Sequence, residues 1–191
     1  NPTEVLIADL DGDGKLDIVT ANETAKSLTV IRNTGGGTYA APITLVTSGS
    51  TGAFGVGGVH AANFDGAGGL DLVVTNPTSG TVDYFRNTGS VGVVSFTLQQ
   101  TITVGGMGPA GPAGLTSLDF DGDEKLDLAV AFRDSNEIRL FRNNGGVFAF
   151  DGSLSAPSPF EIVSADFNKD GHPDLAVSSQ GSNVVTVLIN S

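Results

Sequence analysis

Four stretches of the chain can be laid over one another without a gap: Asp9 to Asn22 (DLDGDGKLDIVTAN), Asn63 to Asn76 (NFDGAGGLDLVVTN), Asp119 to Phe132 (DFDGDEKLDLAVAF) and Asp166 to Ser179 (DFNKDGHPDLAVSS). Such internal repetition constrains the fold more than any other feature, because a unit this small cannot bury its own apolar face and has to stack on copies of itself. The likeness runs on in both directions. Seven residues before three of the loops stands a proline, Pro2, Pro112 and Pro159, with Val56 at that place in the second copy. Sixteen residues after the last loop aspartate comes an asparagine in every copy: Asn33, Asn87, Asn143 and Asn190. Loop starts lie 54, 56 and 47 residues apart, with all the variation after the asparagine, and this is the period of propeller blades. The chain therefore reads as one repeat domain over residues 1–191, with repeats at about 1–54, 55–110, 111–157 and 158–191.

Each repeat reads as a succession of short strands. A run such as Val5 to Ala8 or Ile162 to Ala165 precedes the loop, and Ile18 to Ala21, Leu72 to Thr75, Leu128 to Ala131 or Leu175 to Ser178 follows it. The second group is continuously apolar or small, as suits a strand covered on both faces. A third strand is expected at Leu28 to Arg32, Val82 to Arg86, Ile138 to Arg142 and Val184 to Ile189. A fourth is expected at Ile43 to Thr47, Phe96 to Val104 and Val147 to Phe150. No useful stretch has a helical period with caps. The fold class is all-β, a β-propeller of four-stranded antiparallel blades whose last repeat lacks its outer strand. Three outcomes stay open at this point: four blades that close imperfectly, two copies that assemble into a larger ring, or a piece of a longer protein.

The loops carry the chemistry. In the first, side-chain oxygens fall at Asp9, Asp11, Asp13 and Asp17, positions 1, 3, 5 and 9, with the Lys15 carbonyl at position 7. Alternate oxygens turned to one centre suit Ca²⁺, which accepts six to eight oxygen ligands in a flexible shell. The third loop offers Asp119, Asp121, Asp123, Asp127 and the Lys125 carbonyl, but places Glu124 where the first has Gly14. A non-glycine residue held left-handed there costs roughly 1–2 kcal/mol. The fourth offers Asp166, Asn168, Asp170, Asp174 and the His172 carbonyl. The second keeps Asn63, Asp65 and Asp71, with Ala67 where a carboxylate is wanted, and is expected to bind weakly or not at all. About three calcium ions per chain follow.

An EF-hand would need a glutamate at position 12 and flanking helices, and that position here is Thr20, Val130 or Val177. Plain turn chemistry would scatter aspartate over many turns. Instead 13 of 16 aspartates lie in the four loops, and without a cation they would repel one another. Mg²⁺ asks for strict octahedral geometry and sheds water reluctantly, so calcium fits better.

A net charge of -12 argues against nucleic acid or an anionic membrane surface as partner. No apolar run is long enough for membrane insertion, and there is no cysteine for a disulfide or thiolate site. Asn1, Pro2, Thr3 and Glu4 lack the regions of a signal peptide, so a leader for export is not expected in this chain. Calcium supply places the chain outside the cell or at its surface.

The pattern D-x-D-x-D-G-x-x-D, followed by an apolar strand and then by V-x-V-x-R-N-x-G, resembles the FG-GAP and VCBS repeats of calcium-binding β-propellers such as those of integrin alpha subunits. The resemblance implies a calcium loop between the first and second strands of each blade. Such propellers typically have seven or eight blades, whereas four repeats stand here. It also implies functions to weigh. Catalysis lacks reactive groups: His60 and His172 are the only histidines, and His60 with a nearby Arg or Tyr is the first candidate if the chain resembles a polysaccharide lyase or hydrolase. A lectin or adhesion module would hold a glycan or protein ligand on loops such as Ser48 to Gly58 and Gly105 to Gly114, although aromatic anchors are few. Phe64, Phe120 and Phe167 recur where the first loop has Leu10, which marks them as core. Arg32, Arg86 and Arg142 recur at one strand end, which points to a structural role. The reading is a non-catalytic, calcium-stabilised module for scaffolding or recognition. The alternatives are a half-propeller that assembles with itself as a homodimer, a lectin, or the propeller of a polysaccharide-degrading enzyme.

Overall fold

The computed structural model describes residues 2–49, 58–106, 111–180 and 182–191. Among them there is no helix, and the strands form four blades of a β-propeller. Blade 1 orders β1 (Pro2–Ala8), β2 (Asp17–Asn22), β3 (Ser27–Ile31) and β6 (Ile43–Val46), with a small hairpin of β4 (Asn33–Gly35) and β5 (Thr38–Tyr39) set between its last two strands. Blade 2 contains β7 (Val59–Ala62), β8 (Asp71–Asn76), β9 (Thr81–Asn87) and β10 (Phe96–Thr103). Blade 3 contains β11 (Leu115–Leu118), β12 (Asp127–Phe132), β13 (Glu137–Asn143) and β14 (Phe148–Ser155). Blade 4 stops at three strands, β15 (Pro159–Ala165), β16 (Asp174–Ser179) and β17 (Val184–Leu188). All neighbours pair antiparallel. The hairpin of β4 and β5 has no counterpart in the expected strands. The expected repeat boundaries at 54/55 and 110/111 touch residues outside the described ones, as do most of the two long loops considered as ligand surfaces.

Three apolar clusters hold the blades together, one at each seam. Val19, Ala21, Leu28 and Val30 of blade 1 meet Val59, Leu72, Val74 and Phe85 of blade 2. Val73 and Tyr84 of blade 2 meet Leu128, Val130, Phe132 and Phe148 of blade 3. Ala129, Ala131 and Ile138 of blade 3 meet Ile162, Leu175 and Val177 of blade 4. The period of two along a strand explains the division. Leu72 and Val74 point to one neighbour and Val73 to the other, so β8 and likewise β12 are buried along their whole length. That is why their sequences are continuously apolar.

The expectation of two covered faces fails for β2 and β16. Ile18 and Thr20 in β2, and Ala176 and Ser178 in β16, are only half-buried, whereas the residues alternating with them are buried. The cause is the packing order. β1 packs on β7, β7 on β11, and both β11 and β12 on β15; among the described residues no comparable packing joins β15 to β1. The four blades form an arc with three seams, and each terminal blade keeps one face uncovered. Phe167 shows the same effect: Leu10 and Phe64 are buried against the next blade and Phe120 is half-buried, but Phe167 is 47% exposed. It is not core, because no blade among the described residues packs on that face.

Candidate metal centres

The four aspartate loops lie between the first and second strands of their blades, one after each of β1, β7, β11 and β15. Local conformation explains their composition. Positions 4 and 6 are left-handed in every copy: Gly12 and Gly14, Gly66 and Gly68, Gly122 and Glu124, Lys169 and Gly171. Glycine takes this conformation without a Cβ penalty. Glu124 holds φ of 66° and Lys169 of 65°, so two copies carry that cost.

The position 1 carboxylate organises the turn by accepting backbone N–H groups. Asp9 accepts from Asp13 N (3.2 Å) and Gly14 N (3.0 Å). Asp119 accepts from Gly122 N (2.7 Å), Asp123 N (3.2 Å) and Glu124 N (2.8 Å). Asp166 accepts from Lys169 N (2.6 Å), Asp170 N (3.2 Å) and Gly171 N (3.0 Å). In the second loop no such bond is made, and Asn63 Oδ1 is buried without a partner.

Position 9 has a second task that its spacing did not reveal. Asp17, Asp71, Asp127 and Asp174 are fully buried, and each clamps two backbone amides. One oxygen accepts from the position 2 residue, as in Leu10 N to Asp17 (3.1 Å) or Phe167 N to Asp174 (2.9 Å). The other accepts from the recurrent asparagine: Asn33 N to Asp17, Asn87 N to Asp71 and Asn143 N to Asp127 at 2.7 Å, and Asn190 N to Asp174 at 2.9 Å. Burial raises the pKa of Asp17 and Asp71 and pushes that of Asp127 up to about 6. Neighbouring carboxylates push in the same direction, Asp11 and Asp13 on Asp17, and Asp121 and Asp123 on Asp127.

One oxygen each from Asp9, Asp11 and Asp17 lie within 4.8 Å of one another, and Asp119, Asp121 and Asp127 form the same group in the third loop. Three close, partly buried carboxylates with only oxygen donors fit a hard divalent cation. The fourth loop has the amide of Asn168 at position 3, so Asp166 and Asp174 stand there without a third carboxylate in that role. Position 5 does not join these groups. Asp13 pairs with Lys15 Nζ (2.7 Å) and Arg32 Nη2 (3.0 Å), and Asp123 with Lys125 Nζ (2.5 Å), which holds both carboxyls below their ordinary range. Asp170 accepts from the His172 amide (2.9 Å), as Asp13 and Asp123 accept from those of Lys15 and Lys125 (both 3.0 Å). In the second loop Asp65 is held by Arg86 Nε (2.5 Å), and Asp71 also accepts from Tyr84 OH (3.1 Å).

Sequence reasoning gave the arginines a structural role without their partner. Each reaches the position 3 aspartate of its own blade: Arg32 bonds Asp11, Arg86 bonds Asp65, and Arg142 meets Asp121 at 2.9 Å. Blade 4 has Ile189 at that place. The signal was the arginine's fixed place just before the asparagine. His60 stands apart from the loops, on β7, where its Nε2 is 2.9 Å from Ser117 Oγ across a seam and burial lowers its pKa.

A family model described as "FG-GAP-like repeat" matches residues 9–74, 63–130 and 119–177, each match running from one loop through the next loop into the strand beyond it. A search of curated proteins finds no match. Among solved structures, the chain resembles one titled "Crystal structure of BBS1N in complex with ARL6DN, soaked with lead", with a TM-score of 0.58 and 16% identity. That likeness covers 98% of this chain and 56% of the other, so this chain spans little more than half the length of the one it matches. At such identity the shared property is the fold.

Proposed function

The chain belongs to the FG-GAP-like repeat family, and from that premise we propose that it is a non-catalytic, calcium-binding β-propeller module of extracellular type, used for scaffolding or for recognition of a glycan or protein ligand. The observation that carries this reading is the convergence of Asp9, Asp11 and Asp17, and of Asp119, Asp121 and Asp127, within 4.8 Å. Asp13 and the Lys15 carbonyl, and Asp123 and the Lys125 carbonyl, would complete those two shells. Asp166, Asn168, Asp170, the His172 carbonyl and Asp174 would hold a third ion, and Asn63, Asp65 and Asp71 a weak one or none.

A bound calcium ion would offset the mutual repulsion of the carboxylates that crowd the buried position 9 aspartates. The chain's own residues do the rest. The position 9 aspartate already ties the loop to the end of the third strand, so an ion on its remaining lone pairs would brace the whole blade edge. FG-GAP repeats are typical of extracellular proteins, where calcium is plentiful, and this supports the location. His60 supports a non-catalytic role, since its ring is engaged in a seam between blades.

The test is a calcium titration by calorimetry, paired with thermal melts in calcium and in chelator. Ligand that binds only the folded state adds about 2.7 kcal/mol per site at a hundredfold excess over Kd. For a chain of this size, two or three sites should raise the melting temperature by on the order of 10 °C. Asp11→Ala and Asp121→Ala should each remove one ion from the stoichiometry. Identical melts with and without calcium would overturn the reading.

A further inference from the structure

The arc leaves two faces uncovered, one on blade 1 and one on blade 4. On the far face of blade 4 the strand register sets Val163, Ala176 and Val187 in one row, with Ser178 and Val185 in the next. On the outer face of blade 1 it sets Ile7, Ile18 and Ile31 in one row and Val5, Thr20 and Thr29 beside it. The positions in these rows are uncharged and rich in β-branched residues. They carry some of the largest exposed apolar side chains, with Val163 58% and Ile7 59% exposed.

The seams inside the chain show which positions should touch. His60 on β7 meets Ser117 on β11 (2.9 Å), and Thr116 on β11 approaches Ser164 on β15 (3.3 Å). At the first seam the same two positions are Leu6 and Ala61, which pack in one cluster. Carried one blade further, the rule pairs Val163 with the residue at the place of Ile7. The side-chain chemistry agrees, since apolar meets apolar.

A backbone contact repeats in the same way. The side-chain amide of Asn87 donates to Leu10 O (2.7 Å), that of Asn143 to Phe64 O (2.7 Å) and that of Asn190 to Phe120 O (3.5 Å), each reaching the preceding blade. Asn33 donates within its own blade to Leu16 O (3.1 Å). The acceptor that would continue the series is the carbonyl of Phe167, beneath the exposed ring at the far end of the arc. Blade 1 thus carries a donor and blade 4 an acceptor of the kind that closes every internal seam.

We propose that blade 4 of one copy of this chain packs on blade 1 of a second copy, and the reverse, so that two arcs form one eight-bladed ring with two equal seams. A two-fold dimer of this kind uses both faces of both copies and leaves no edge for a third. The interface continues the one already repeated three times within the chain, and it does not depend on calcium.

The experiment uses the absence of cysteine. Chains carrying Ile7→Cys alone and Val163→Cys alone are mixed, treated with a short bis-maleimide, and resolved by mass, in calcium and in chelator alike. The expected product is a covalent dimer containing one chain of each kind, matched by a dimer mass for the unmodified protein in sedimentation. Val163→Asp should halve that mass without changing the far-ultraviolet circular dichroism, since the side chain is exposed in the single arc. A monomeric mass for the unmodified protein would overturn the proposal. So would a crosslink formed within one chain when it carries both cysteines, which would mean that four blades close by themselves, or a ladder of larger multimers, which would mean an open filament.

Discussion

At the residue scale, the loops show how spacing in a sequence fixes places but not partners. The nine-residue pattern located every carboxylate, and it marked position 6 as a place where Glu124 would be strained; Glu124 does stand at φ of 66°. It did not mark Lys169, because a turn read from one loop with glycine at position 4 leaves the replacement in another loop unremarked. Nor could it show that Asp17 or Asp127 clamps two amides, since one partner lies across the same loop and the other beyond the next strand. The strain is testable. Glu124→Gly relieves a left-handed Cβ worth roughly 1–2 kcal/mol and surrenders part of that to the looser unfolded chain. The Glu124 amide keeps its bond to Asp119 (2.8 Å). Denaturant unfolding in chelator should therefore place Glu124→Gly about 1 kcal/mol above the parent. Gly122→Ala, at φ of 78°, should fall below it by a similar amount. A less stable Glu124→Gly would show that the side chain has a role that its geometry does not reveal.

At the element scale, composition alone predicts second strands covered on both faces, and only β8 and β12 are. A run such as Leu175 to Ser178 has the same character as its counterparts because it belongs to the same repeat. Burial depends on what stands beside the blade, and a repeat unit does not encode its neighbour. The asparagines separate these cases. Asn143 is buried, with its amide bonded to Phe64 O (2.7 Å) and Leu126 O (2.9 Å) and its Oδ1 accepting from Gly146 N (2.7 Å). Removing the side chain leaves buried groups on two blades unpaired, at about 1–3 kcal/mol for each unsatisfied group. Asn33 spans no seam within the chain. In the Val163→Asp background, Asn143→Ala should cost about 3 kcal/mol and Asn33→Ala about 1 kcal/mol or less. Equal losses in urea unfolding would remove the distinction between a pin across a seam and a turn residue within a blade.

At the scale of the whole molecule, the repeat gave blade number, strand order and the missing outer strand of blade 4, all of which follow from local pattern. Whether the ring closes was not legible, because closure depends on the angle accumulated over several seams. That architecture makes stability uneven along the arc. Opening blade 4 breaks one seam, but opening blade 2 or blade 3 breaks two, and each seam buries several valine, leucine or phenylalanine side chains at about 1.5–3 kcal/mol apiece. Local openings should therefore be cheaper at the ends than in the middle. Amide hydrogen exchange on monomeric Val163→Asp should show β8 and β12 as the slowest strands, with β2 and β16 faster although their hydrogen-bond ladders are of the same length. Their half-buried faces, at Ile18 and Thr20 and at Ala176 and Ser178, are the reason. In the unmodified protein, raising the concentration should slow exchange in β2 and β16 toward that of the central strands and leave β8 and β12 unchanged, because only the terminal blades gain a seam. Uniform protection of all four second strands in the Val163→Asp monomer would mean that the sheets, rather than the seams, set the stability of each blade.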